Sequence, residues 1–160
     1  MNKARLHQLI LDTLQADLEL AQRAALSAYE AATHKENIAE NKYDTLGLEA
    51  SYLAAGQARR VEEIRQALKA WQQLTLRPFD AELGIQLTAL VWLANAQGIE
   101  QCLFLGPDAA GMKVRLEGQE VLVISPRAPL GQRLLGCAEG DQVEMRIGNS
   151  TQLFEVLRVS

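Results

Sequence analysis

The chain has 160 residues, of which 48% are apolar and 22% charged, with a formal net charge of −4. That length can bury a sizeable core in one or two domains, and the composition is that of a globular protein. An acidic balance argues against an electrostatic nucleic-acid binder, which carries a basic face, so direct sequence-specific DNA binding is not expected.

Membrane insertion and export are not expected either. No apolar run reaches the 18 residues of a membrane span. The first twenty positions hold Asp12, Asp17 and Glu19 and lack an A-x-A cleavage site, unlike a signal peptide. Cys102 and Cys137 stand apart, without a C-x-x-C pair or a histidine nearby. They read as small buried hydrophobes in a reducing, cytoplasmic setting.

From residue 3 to about 75 the apolar residues follow helix period. Leu11, Leu14, Leu18, Ala21, Ala25, Ala28 and Ala32 recur at alternating intervals of three and four, an a/d seam. A second run places Ala50, Ala54, Gln57, Val61, Ile64, Leu68 and Trp71 on a matching seam. Folded back near residue 41, the seams mirror each other. Leu11 and Leu14 fall opposite Leu68 and Trp71, and Leu18 faces Val61 and Ile64. The small residues Ala25, Ala28 and Ala32 lie near Ala50, Ala54 and Gln57. This grading predicts an antiparallel helical hairpin that narrows towards its turn, with a first helix about 45 Å long.

The turn, residues 33–47, is acidic. Between Glu30 and Glu49 lie five acids (Glu30, Glu36, Glu40, Asp44 and Glu49) and two bases (Lys35 and Lys42). One reading is solvation of the hairpin end, with Asp44 or Thr45 capping the second helix. The other is that tip carboxylates hold a divalent cation. Mg²⁺ accepts a few carboxylate oxygens and retained waters, so a loop could share one with a partner's deep cavity. His7 extends the seam, where a partly exposed structural histidine is expected, and His34 lies among charged neighbours.

Leu76-Arg77-Pro78 ends the helical half, because proline cannot continue a helix and pushes its predecessor to extended geometry. Beyond it the period becomes two. Strands are predicted at 84–93, 101–105, 113–116, 120–125, 142–147 and 152–159, separated by Gly- and Asn-containing turns. A short helix is predicted at 129–135, with Gly136 at its C′ position. The expected class is therefore α+β: an antiparallel coiled-coil hairpin at 1–76, a linker at 77–83, and a small antiparallel sheet domain with one helix at 84–160. The second half contains no histidine, no G-x-S-x-G, no P-loop and no metal-ligand spacing, so an enzyme active site is not expected there.

Ile124-Ser-Pro-Arg-Ala-Pro-Leu-Gly-Gln-Arg-Leu-Leu-Gly136, followed by Glu139-Gly-Asp-Gln-Val143, resembles the C-terminal domain of the Gre-type transcription elongation factors. That family writes S-P-L-G-x-x-L-L-G and then G-D-x-V. Pro129, Leu130, Gly131, Leu134, Leu135, Gly136, Gly140, Asp141 and Val143 fall on this pattern, while Ala128 replaces its serine. Phe154 to Val159 fits the last strand. The order of parts also matches, so the resemblance covers nearly the whole chain.

The resemblance implies an FKBP-like second domain that docks on bacterial RNA polymerase, with Pro129, Leu130 and Gly131 as candidate docking residues. It implies a coiled coil inserted in the secondary channel, close to nascent RNA. In the family a tip pattern D-x-x-E-N helps hold a second Mg²⁺, so that the polymerase cuts its own backtracked RNA. Here Glu36-Asn37 matches the end of that pattern, and Thr33 stands at the aspartate's place. Glu36 is thus the candidate ligand of an Mg²⁺ held jointly with the polymerase, with Glu40 or Asp44 approaching from across the turn. The expected role is that of a factor acting on the polymerase's own active site. A non-cleaving channel regulator, of anti-Gre or DksA-like type, and a coiled-coil adaptor for another protein are the alternatives.

Overall fold

The computed structural model describes residues 1–34 and 45–160, with side chains described from residue 48 onward in the second segment. Two long helices come first, α1 (Lys3–Thr33) and α2 (Thr45–Gln72). They are followed by β1 (Leu90–Asn95), β2 (Glu100–Leu105), β3 (Lys113–Leu116), β4 (Gln119–Ile124), α3 (Pro129–Leu134), β5 (Gln142–Ile147) and β6 (Ser150–Val159). The class is α+β, as expected.

Two compact units divide the chain. One comprises Leu11–Lys69, and the other comprises Met1–Ile10 with Ala70–Ser160. The change of secondary structure near residue 76 is therefore not where the compact units divide, since the first and last turns of the helical pair group with the sheet.

In the helical unit Leu14, Leu18, Ala21 and Ala28 of α1 are buried, as are Val61, Ile64, Ala67 and Leu68 of α2. Leu11, Ala25 and Ala32 of the predicted seam, and Ala50, Ala54 and Gln57 of its partner, are half-buried. Burial thus follows the three-four spacing and weakens towards the turn, because alanine leaves less apolar area to remove from water. Asp17, Leu20, Ala21 and Ala24 of α1 line one groove with Gln57, Arg60 and Ile64 of α2.

In the other unit six strands form one sheet in the order β3-β4-β2-β1-β6-β5. All neighbours are antiparallel except β2 and β4, which run parallel with Cys102 beside Val121 and Phe104 beside Val123. The sheet is thus mostly antiparallel, as expected, with one parallel pair inside it. The β3–β4 hairpin turns back so that β4, not β3, lies against β2, and alternation of apolar residues carries no strand direction.

One face of the sheet is buried throughout its centre, and the other is buried where β1 and β2 lie. Val91, Leu93, Leu103, Leu105, Val143, Val156 and Val159 form one core with Ile85 and Leu134. On the opposite face the register aligns Leu90 with Phe104 and Trp92 with Cys102, and all four are buried. Trp71 at the end of α2 stacks on Phe104 with ring centroids 5.6 Å apart. Its Nε1 donates to the Asp108 carbonyl at 3.0 Å. His7 Nε2 donates to the Trp71 carbonyl at 2.7 Å, so the start of α1 meets the end of α2 and the two helices run antiparallel. Lys3 Nζ donates to the carbonyls of Arg77 (2.5 Å) and Ser160 (3.2 Å), and burial lowers its pKa. The half-buried His7 fits the structural role expected of it.

The first strand begins later than expected, at Leu90 rather than 84. Gly84 and Thr88 take φ of 72° and 77°, which breaks the pleat. A β-branched residue at positive φ is an outlier. Thr88 is held there because its N–H donates to the Leu105 carbonyl and its Oγ1 accepts from the Arg77 N–H.

Candidate functional site

Pro129, Leu130 and Gly131 form the first turn of α3. The strand before it ends at Ile124, and the Ser125 hydroxyl accepts the Arg127 N–H at 3.1 Å. Ala128 is the N-cap, extended at φ −66° and ψ 154°, and makes no side-chain cap bond. A serine there would offer a hydroxyl to the first turn. Pro129 follows, with φ preset for a helix start and no N–H to leave unpaired.

Gly131 is buried, and a Cβ placed on it would stand 2.0 Å from the Ser125 carbonyl oxygen. That carbonyl already accepts the Ala128 N–H at 3.1 Å, so it cannot easily retreat. Leu134 is fully buried in the sheet core, and Leu130 is packed against that core.

Gly136 ends the helix at φ 81°, the left-handed conformation in which glycine pays no Cβ penalty. Its N–H donates to the Ile85 carbonyl, and the Cys137 carbonyl accepts the Ile85 N–H. Asp141 closes the next turn, its Oδ2 accepting the Ala138 N–H at 2.8 Å. Glu139 Oε1 accepts the Val159 N–H at 3.0 Å. The patterned residues therefore form one connected piece of structure around α3. Pro129, Arg133 and Leu135 remain exposed at its surface.

The tip carboxylates Glu36, Glu40 and Asp44 lie outside the described residues. Thr33 is described, and its Oγ1 donates to the Tyr29 carbonyl at 2.9 Å. Its hydroxyl is turned back on its own helix. Among the described residues, no group of three or more His, Cys, Asp or Glu side chains is placed to hold a metal. No described helix is long and apolar enough to cross a membrane.

The described cysteines are both free. Cys102 is buried, and burial pushes its thiol pKa up to about 12. Cys137 is half-buried with its pKa also raised by burial, and its thiol donates to the Arg133 carbonyl at 3.3 Å.

One set of apolar residues lies outside the buried seam. Leu26 and Tyr29 of α1, and Leu48, Tyr52 and Leu53 of α2, are more than half exposed. They lie off the a/d positions, and large apolar or aromatic side chains at non-seam sites were the available sequence signal. Exposed groups of this kind are candidate partner contacts.

No family model and no curated protein matches the chain. Its structural neighbours are Gre-type factors. The GreA factor homolog 1 (Gfh1) protein of Thermus thermophilus is 18% identical, with a TM-score of 0.38 and coverage of 94% of each chain. Thermus aquaticus Gfh1 is 21% identical, with a TM-score of 0.38 and coverage of 92% of each. The prokaryotic transcription elongation factor GreA/GreB from Nitrosomonas europaea is 20% identical at a TM-score of 0.37, covering 72% of this chain and 95% of its own.

Proposed function

We propose that the chain is a transcription elongation factor of Gre type that binds bacterial RNA polymerase. The carrying observation is that the residues on the Gre-type C-terminal pattern close around α3 as one unit. Gly131 sits against the Ser125 carbonyl, Leu134 fills the sheet core, and Gly136 makes the left-handed exit. The paired helices, with exposed Leu26, Tyr29, Tyr52 and Leu53, supply the second part of that architecture.

In this reading the helical pair enters the polymerase's secondary channel, and the residues around Pro129, Leu130 and Gly131 take part in docking. The factor catalyses nothing alone. Glu36, with Glu40 or Asp44, would hold an Mg²⁺ jointly with the polymerase. Two or three carboxylates are too few for an all-protein cage but suffice for a shared, partly hydrated Mg²⁺. Such an ion stabilises charge on phosphoryl oxygens and activates water. The protein would touch nascent RNA only at this tip, and would act in the cytoplasm.

A second reading, a channel regulator that docks without cleaving, is favoured by Thr33. It stands where the pattern has an aspartate, and its neutral hydroxyl bonds back to Tyr29.

One experiment separates the readings. The protein is added to backtracked bacterial elongation complexes, and binding and RNA shortening are both measured, with Glu36→Ala, Glu40→Ala and Asp44→Ala alongside. Shortening that depends on Glu36 supports cleavage, and shortening that survives all three substitutions removes the metal-ligand assignment. Binding without shortening selects the non-cleaving regulator. Absence of binding rejects the polymerase reading and leaves a coiled-coil adaptor.

A further inference from the structure

Strand β5 is an edge of the sheet, paired on one side with β6. Its sequence, Gln-Val-Glu-Met-Arg-Ile, is complementary to itself when read in the opposite direction. We propose that β5 pairs antiparallel with β5 of a second copy of this chain, about a two-fold axis at Met145, joining two sheets into one.

The side chains fit that register. Antiparallel pairing centred on Met145 sets Glu144 opposite the partner's Arg146, and Arg146 opposite the partner's Glu144. Both are exposed, and neither has an ion-pair partner among the described residues. On the other face of the strand Val143 falls opposite the partner's Ile147, and Met145 opposite the partner's Met145. Val143 is buried in the sheet core while Ile147 is 52% exposed, so pairing would extend the apolar row of one copy across the seam. Opposite charges on one face and apolar pairs on the other are the combinations that stabilise cross-strand neighbours.

The backbone phase fits as well. β5 and β6 are joined by a two-residue turn, Gly148-Asn149, with Ile147 paired to Ser150. Gly148 has φ 62°, and Asn149 is absent from the residues at positive φ, as in a type II′ hairpin. The pair closing such a turn exchanges both hydrogen bonds, so Ile147, Met145 and Val143 direct their backbone groups to β6. Gln142, Glu144 and Arg146 then direct theirs outward. The proposed register matches outward-facing Glu144 with outward-facing Arg146, which lets those groups bond across the axis.

The opposite edge provides the contrast. β3 reads Lys-Val-Arg-Leu, and antiparallel self-pairing about Val114 would bring Lys113 against Arg115. Like charges opposed across a strand pair repel, which is the ordinary defence of an edge. β5 carries charges of both signs at the spacing that a two-fold axis turns into attraction, giving the isologous contact of a symmetric dimer.

The test is sedimentation equilibrium of the full chain over a concentration series. Reversible dimerisation is expected below about 1 mM, the weak end of specific association. Glu144→Arg or Arg146→Glu alters both symmetry-related pairs, so each should raise the dissociation constant by about tenfold. The combined variant E144R/R146E restores opposition and should return it close to the starting value. Circular dichroism checks that each variant is folded, and the combined variant keeps the test decisive if a single one is not. Met145→Cys should cross-link two chains on oxidation, because Cα atoms about 4.5 Å apart across a non-hydrogen-bonded pair lie within disulfide range. Peptide mapping separates that bond from any through Cys137. A chain monomeric to about 1 mM, a dissociation constant indifferent to the reversals, or no bond through position 145 would overturn the proposal.

Discussion

Trp71 lies so close to Gly106 that a Cβ on the glycine would stand 2.3 Å from the indole Cζ2. The indole cannot readily move away, because its Nε1 donates to the Asp108 carbonyl and its ring stacks on Phe104. Gly106→Ala should therefore cost about 1–3 kcal/mol, the range for overpacking a filled core. Trp71→Ala should cost about 3–5 kcal/mol. Urea denaturation measures both. A Gly106→Ala protein as stable as the parent would mean that the indole has room to shift.

Gly131 presents a similar geometry with a backbone obstacle. Since a Cβ there would meet the Ser125 carbonyl oxygen at 2.0 Å, Gly131→Ala should displace α3 and destabilise the sheet unit by about 3 kcal/mol. Pro129→Ala alters an exposed residue and should leave stability within about 0.5 kcal/mol. Comparing polymerase binding by the two variants would then separate loss of fold from loss of contact. Weakened binding by a stable Pro129→Ala protein is the expected sign of docking through this surface.

Thr33 tests the tip. Thr33→Asp supplies the carboxylate that the D-x-x-E-N pattern carries at this position. Its addition to backtracked complexes should raise RNA shortening about tenfold over the parent, the size of one charge-assisted contact. Glu36→Ala in the same background should abolish the gain. Unchanged shortening with binding intact would count against cleavage through this tip.

Cys102 gives a pH dependence whose sign follows from burial. Its thiol pKa is raised from 9.0 to about 12 in the folded chain. Between those values the unfolded chain has released a proton that the folded chain retains. Stability is then fully present below pH 9 and falls as pH rises towards 12, by at most about 1.4 kcal/mol per pH unit from this group. Cys102→Ala should flatten the fall seen in urea midpoints across that window. The native thiol should also resist alkylation at neutral pH until the chain is unfolded.

Much of the architecture was legible in the sequence. The three-four spacing from Leu14 to Ala28 and from Val61 to Leu68 specified a buried seam, because a helix sets such residues on one side. The period-two runs at 113–116 and 142–147 coincide with strands β3 and β5. Pro129 and Gly136 marked the start and exit of α3, because each has a backbone preference of its own. These features are local, so neighbouring residues are enough to declare them.

Tertiary structure decided what depends on distant partners. The run from residue 84 to Leu93 alternates like one strand. Yet Thr88 is forced to positive φ by bonds to Leu105 and Arg77, which lie far along the sheet and across the linker. The parallel pairing of β2 with β4 is set by the path of the intervening hairpin, and side-chain alternation has no direction to reveal it. Leu6 and Ile10 are fully buried although they lie off the predicted seam, because their unit includes the sheet as well as the helix ends. Spacing within a helix shows which side is apolar. Only the assembled chain shows what that side is buried against.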